Sequence, residues 1–195
     1  MTNTNHTFST IPERITKEWR HQQISKNSRD NSSEKFQKSF IRRNLGVDLN
    51  TFCNNEKSVR INKTTLVFKN LRKITDREDF VEWTEDFDGI KKVNNKMTYW
   101  NLKIIPDAGG AQNRSIRPVI SMVEAFAKHI KKNKCTDKFF ICITDGNYYC
   151  NFSLLREGNK KTQFEYVIDK VDPSLRKYFY CGPLKNLQTW WRKTI

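Results

Sequence analysis

No stretch of this chain approaches the roughly 18 consecutive apolar residues that a membrane-spanning helix needs, and its mean hydropathy is low at -0.78. The first ten residues, Met1 to Thr10, are polar and lack the apolar centre of an export signal. The expectation is a soluble, intracellular protein, cytoplasmic or nucleoid-associated. Cysteine is sparse: Cys53, Cys135, Cys142, Cys150 and Cys181 form no CxxC pair, are odd in number and fit no zinc spacing. Free thiols in a reducing compartment are expected, with Cys142 and Cys150 able to approach one another across two strands. Only three histidines occur, His6, His21 and His129, and no two stand at metal-ligand spacing. Internal repeats and recognisable RNA-binding motifs are absent as well.

What the chain has in excess is positive charge. It carries 36 Lys and Arg against 21 Asp and Glu, a net +15, which favours a polyanionic partner, nucleic acid before an anionic membrane surface. The charge is uneven: residues 1–50 carry +4, residues 51–110 only +2 and residues 111–195 +9. Seven of the acids, Asp76, Glu78, Asp79, Glu82, Glu85, Asp86 and Asp88, fall within thirteen residues. Asp79 and Glu78 read as a solvated helix face. The rest form an acidic island in a basic protein, as a metal site beside a phosphate groove would require.

The 195 residues, 36% hydrophobic with 13 Phe and 5 Trp, suit one domain with an extension. Residues 1–50 read as a polar, basic N-terminal extension, partly helical at Ile15 to Gln23 and Glu34 to Leu45, either a DNA-grasping arm or a peripheral cap. Residues 51–195 read as an α/β domain. Val59 to Phe68 has strand character. Thr75 and Glu78 have capping-box spacing for a short helix running through Trp83. Phe87 to Val93 and Thr98 to Ile105 read as a hairpin turned by Asn94-Asn95, which tolerate positive φ. After Gly109-Gly110, an apolar stripe of Ile116, Val119, Ile120, Val123, Phe126, Ala127 and Ile130 predicts a helix from about Ser115 to Lys132, with Pro118 in its first turn. Phe139 to Thr144 is a continuous apolar strand, central and buried on both faces. Tyr148 to Leu155 and Thr162 to Ile168 read as further strands, and Pro173 opens a short helix. The order predicts an α/β sandwich with a mixed sheet.

The densest chemistry is Glu85-Asp86-Phe87-Asp88-Gly89, a hairpin, then Asn101-Leu102-Lys103. Residues i and i+2 of a strand face one side, so Asn101 and Lys103 point together and the hairpin brings Asp88 alongside. A carboxylate, an amide oxygen and an ammonium on one surface suit phosphodiester cleavage: the carboxylate holds Mg²⁺, and the lysine offsets transition-state charge. A second cluster, Asp107 to Arg117, joins the lysine strand to the long helix. There Gln112, Asn113, Arg114 and Arg117 suit base edges and phosphate, with Ser115 as an ordinary helix cap the alternative use. Asp145 reads first as a turn cap. Lys128, Lys131, Lys132 and Lys134 read as a solvated helix end, and Trp190 and Trp191 as core packing.

Asp88 followed after a dozen residues by x-x-Lys103 on an apolar strand resembles the PD-(D/E)xK nuclease signature. The Thr144-Asp145-Gly146 ending of the buried strand, with Tyr148 and Tyr149 after it, is similar to a segment of several type II restriction endonucleases. The resemblance covers residues 76–155. It implies a restriction-endonuclease-like core with a mixed central sheet flanked by helices, Mg²⁺ as cofactor, DNA as substrate and a homodimer as the working form. It implies Asp88, Asn101, Lys103 and Gln112 as catalytic residues, with Asp88, Asn101 and Glu85 holding the metal. Asn101 stands where the family has Asp or Glu. A weakened site supported by Glu82, Glu85 or Asp86, or a nucleic-acid-binding protein without catalysis, both stay open.

Overall fold

The computed structural model describes residues 32–49, 58–71, 79–104, 110–145, 153–154, 161–162, 168–169 and 171–195. The helix at Ile15 to Gln23, the cap at Thr75 and the tyrosines at 148 and 149 lie outside them.

A first helix, α1 (Ser32–Leu45), is followed by β1 (Ser58–Ile61) and β2 (Phe68–Leu71), a short helix α2 (Asp79–Glu82), and the strands β3 (Gly89–Val93) and β4 (Lys96–Ile104). A long helix α3 (Gly110–Asn133) leads to β5 (Lys138–Asp145). Two short strands, β6 (Ser153–Leu154) and β7 (Lys161–Thr162), pair antiparallel. A 3-10 helix (Pro173–Tyr178), β8 (Phe179–Gly182) and α4 (Leu184–Thr194) end the chain. The central sheet is mixed, in the order β3-β4-β5-β8, with β3 and β4 antiparallel and β4, β5 and β8 parallel.

Strand alternation explains how the helices cover this sheet. On one face Tyr99, Phe140, Cys142 and Phe179 pack beneath Val119, Met122, Val123, Phe126 and Ile130 of α3. On the other, Trp100, Leu102, Ile141, Ile143 and Tyr180 meet Phe40 and Ile41 of α1 and Leu184, Leu187 and Trp191 of α4. The rings of Trp100 and Trp191 lie 5.5 Å apart. Thus the aromatic C-terminal segment packs on the core, as the sequence suggests, and α1 with Val47 and Leu49 forms a layer of the α/β unit. The continuous apolar run at 139–144 is the central strand, paired on both edges, which is why it has no polar face. Asn94 and Asn95 turn the β3–β4 hairpin with φ of 47° and 64°, a conformation that asparagine tolerates better than most residues.

Three expectations change. Val59 to Phe68 is two antiparallel strands with a turn between them, because Asn62 folds the chain back on itself. Its buried side-chain oxygen accepts the N–H groups of Thr64 and Thr65 at 3.0 and 2.7 Å, its carbonyl accepts Leu66 N, and Leu66 takes φ 63°. Helix α3 begins at Gly110 rather than near Ser115, so Gln112, Asn113 and Arg114 lie in helix and Pro118 sits inside it. Ala111, Gln112 and Arg114 are good helix formers and extend it in the N-terminal direction. Ile168 and Asp169 are helical rather than the end of a strand.

Asn62 also donates to Glu82 Oε1 at 2.5 Å, tying the β1–β2 turn to α2. Asn62→Ala removes three hydrogen bonds from a buried position and should lower stability by about 1–3 kcal/mol. Urea unfolding measures this, and a midpoint unchanged from wild type would contradict it.

Candidate active site

The segment from Thr84 to Phe87 is fixed by β1. Ile61 N donates to Thr84 Oγ1 and Thr84 N to the Ile61 carbonyl, both at 3.0 Å, and Phe87 N donates to the Val59 carbonyl at 3.2 Å. Buried Arg60 clamps the same segment, donating to the Thr84 carbonyl at 3.2 Å and to Asp86 Oδ1 at 3.1 Å. Phe87 turns inward against Tyr99 and Phe140. These constraints hold Glu85 and Asp88 at the mouth of the β3–β4 hairpin.

Asp88 sits one residue before β3. Its N–H donates to the Trp100 carbonyl at 2.9 Å, and its Oδ2 accepts Leu102 N at 2.6 Å. The carboxylate therefore takes a ladder position that a backbone carbonyl would otherwise fill, which locks it against the lysine strand. Lys103 follows Leu102, and its Nζ lies 3.2 Å from Glu85 Oε2. Both partners of that pair are only partly covered, with 26% of the lysine side chain and 33% of the glutamate exposed. The structure thus brings Glu85, Asp88 and Lys103 together.

The electrostatics are unequal. Burial pushes the Asp88 carboxyl up to about 7; Lys103 and the Leu102 N–H pull it back, while Glu34 and Asp86 add to the rise. For Lys103, burial opposes the ammonium, but Asp88 and Glu85 outweigh it and hold the group above its ordinary value. Lys103 is therefore charged, while Asp88 is poised to take or release a proton near neutrality.

Helix α1 contributes a part that the sequence reading missed. Gln37 is buried and its Nε2 donates to the Lys103 carbonyl at 3.2 Å. Glu34 pairs with Lys38 at 2.5 Å and acts electrostatically on Asp88. The signal was in the helical spacing: Gln37 and Glu34 stand four and seven residues before buried Ile41, on the stripe that faces the sheet. Polar residues there are the anomaly.

Asn101 shares the strand face of Lys103, as expected, but is fully buried beneath α3. Its Nδ2 contacts Met122 Sδ at 3.5 Å, and its Oδ1 accepts the Cys142 thiol at 3.6 Å. Burial and the neighbouring Cys181 sulfur hold the Cys142 thiol well above its ordinary value, so it remains the donor. Of the other acids, Glu82 is engaged by Asn62 and Asp86 by Arg60.

Gln112, Asn113 and Arg114 lie in the first turns of α3, which follows the carboxyl end of β4; Arg117 is exposed on the next turn. In register, Thr144 stands opposite Lys103 and Asp145 opposite Ile104. The cluster thus occupies the carboxyl ends of two adjacent parallel strands, where open α/β sheets place ligands.

Two carboxylates, Glu85 and Asp88, here act on one ammonium, that of Lys103. A divalent cation fits that donor set: Mg²⁺ takes one or two carboxylates and fills its remaining positions with water and phosphate oxygens. Asp88 and Glu85 are the residues that would hold it. Among the described residues no three His, Cys, Asp or Glu side chains gather as a dedicated metal cage, and no helix is long and apolar enough to cross a membrane. Comparison with protein-family models, curated proteins and solved structures finds no match.

Proposed function

We propose that this protein is a Mg²⁺-dependent endonuclease that hydrolyses DNA phosphodiester bonds, built on a restriction-endonuclease-like core and acting in the manner of a type II restriction enzyme, as a homodimer. The observation that carries the reading is the meeting of Asp88, Glu85 and Lys103 at the carboxyl ends of β4 and β5, with Asp88 held by the backbone of the lysine strand.

A bound Mg²⁺ supplies Lewis-acid polarisation of the phosphodiester. The chain's own residues do the rest. Asp88 and Glu85 present hard oxygen donors. Lys103 sets a fixed positive charge where negative charge grows on the phosphate oxygens, in a partly desolvated position that strengthens it. Gln37 fixes the backbone at Lys103, and Arg60 fixes the segment carrying Glu85. Gln112, Asn113, Arg114 and Arg117, on the opening turns of α3, take the DNA backbone and base edges, helped by the helix N-terminus. The +15 net charge supplies long-range attraction for DNA.

The alternative, a nucleic-acid-binding protein without catalysis, is favoured by one observation: the Asn101 oxygen is already taken by Cys142. In the nuclease reading the metal rests on Asp88 and Glu85, so Glu85→Gln should raise the Mg²⁺ concentration for half-maximal cleavage by roughly tenfold, as loss of one charged ligand does. A Mg²⁺ titration of cleavage checks this, and an unchanged midpoint removes Glu85 from the metal set.

The reading itself is tested by incubating purified protein and plasmid with Mg²⁺, Ca²⁺ or EDTA. Cutting with Mg²⁺, binding without cutting in Ca²⁺, and neither cutting nor metal response in EDTA are expected. A gel shift without cutting under Mg²⁺ would give the place to the binding-protein reading.

A further inference from the structure

At the other end of β5 from Asp88 and Lys103, the end of α3 carries a second chemical cluster. Lys134 takes φ 49°, closing the helix, and Cys135 N donates back to the Ile130 carbonyl at 3.3 Å. This turn sets the half-buried Cys135 thiol 3.7 Å from His129 Nε2 and 3.7 Å from Lys138 Nζ. A more distant contact runs from the thiol to the Asn133 carbonyl at 3.9 Å.

The imidazole tautomer is set by its other nitrogen. His129 Nδ1 stands 2.8 Å from the Leu66 carbonyl, which can only accept, and 3.1 Å from the Asn133 Nδ2, which has the His129 carbonyl at 3.0 Å as its own acceptor; the shorter contact assigns the proton to Nδ1. Nε2 is then a free lone pair directed at the thiol. Burial, above all, holds His129 below its ordinary value, and Lys138 adds to this against the Leu66 carbonyl and Asp137; the ring is neutral and able to accept. The ring is packed edge-on against Phe68 at 4.6 Å, which fixes its orientation.

The thiol also lines a cavity of about 250 Å³, open to solvent. Ile130, Leu175 and Tyr178 give it apolar walls, and Lys131 and Lys134 stand at its edge. Asp172, also in the lining, is a carboxylate held by the N–H and hydroxyl of Ser174 at 3.0 and 2.7 Å, so the two lysines leave the lining with an excess of one positive charge. A base, a cationic neighbour and a cation-edged cavity thus surround one sulfur.

We propose that Cys135 is a nucleophilic thiol site that takes a small anionic carbon electrophile in the cavity beneath Lys131 and Lys134. In the reaction the thiol proton passes to His129 Nε2, sulfur forms a bond to the electrophilic carbon, and that carbon's bond to its leaving group breaks, the leaving group departing with the electron pair. Lys138 Nζ, 3.7 Å from the sulfur and also paired with Asp137 at 3.6 Å, donates to the sulfur as the proton leaves, and Lys131 and Lys134 select for negative charge. The site is independent of the nuclease reading, and either stands if the other fails.

Iodoacetate and iodoacetamide are the probes, with peptide mass spectrometry following Cys135 separately from the other four cysteines. At neutral pH, Cys135 should react with iodoacetate at least about tenfold faster than N-acetylcysteine does, with an iodoacetate-to-iodoacetamide ratio above that of the free thiol. Lys138→Gln should slow both reagents, and His129→Gln should do the same where it folds. Lys131→Ala with Lys134→Ala, two exposed changes, should lower the ratio alone. A Cys135 rate equal to that of N-acetylcysteine, or a rate and ratio indifferent to Lys138→Gln and to the double lysine change, would overturn the proposal.

Discussion

Asp88→Asn should make the protein more stable above neutral pH while abolishing cleavage. Burial raises the Asp88 carboxyl from an ordinary 3.8 to about 7, so between those values the folded state binds a proton that the unfolded state has released. Stability then falls as pH rises through that window, and the full cost stands above pH 7. Asparagine carries no charge to desolvate, and its oxygen can still accept the Leu102 N–H that Asp88 accepts at 2.6 Å. The gain should reach on the order of 1–3 kcal/mol above neutrality and vanish near pH 4, moving the melting temperature by about 2–4 °C per kcal/mol in a chain of this size. Thermal unfolding of both proteins at pH 4 and pH 8 checks the sign. A variant no more stable than wild type at pH 8 would refute the electrostatic description of Asp88. Added Mg²⁺ should stabilise the wild type and leave Asp88→Asn unmoved, because the cation compensates the carboxylate that asparagine lacks.

Lys103→Met should lower cleavage by about 10²–10³-fold and leave the protein folded. Methionine keeps most of the stem that packs at the end of β4 but removes the ammonium paired with Glu85 at 3.2 Å. A preorganised charge aimed at a developing oxyanion is worth roughly 3–4 kcal/mol in a partly desolvated site. The loss should appear in the single-turnover rate, with plasmid binding in Ca²⁺ kept within a few-fold. A variant that cuts within threefold of wild type would remove Lys103 from the chemistry.

The parts of the fold that could be read directly are those decided by local chemistry. Two asparagines in succession made the β3–β4 turn, an apolar run with no polar face made the central strand, and the 3.6-residue spacing of Val119, Val123, Phe126 and Ile130 made the buried stripe of α3. The same local rules failed where a distant partner decides. Val59 to Phe68 looked like one strand because nothing in it announces that Asn62 will bond Thr64, Thr65 and Glu82 at once. The start of α3 was misplaced because Ser115 is a good cap in isolation, whereas the helix begins at Gly110.

For the site, the period of two in β4 put Asn101 and Lys103 on one face, and the hairpin brought Asp88 onto the lysine strand at Leu102. Spacing along the chain said nothing of what lies above that face. Met122 and Cys142 engage Asn101, and Gln37 reaches Lys103 from a helix 66 residues earlier. Of the acidic island, only contact geometry separates Glu85, which meets the lysine, from Glu82 and Asp86, which hold the scaffold through Asn62 and Arg60.

The most direct measurement places wild type and Asp88→Asn, purified in parallel, on the same plasmid with Mg²⁺. Nicked or linear product from wild type, with none from a folded Asp88→Asn, is the predicted result, since a contaminating nuclease would cut in both lanes. Equal cutting by both proteins, or cutting by neither while wild type binds the plasmid, would contradict a nuclease centred on Asp88 and Lys103.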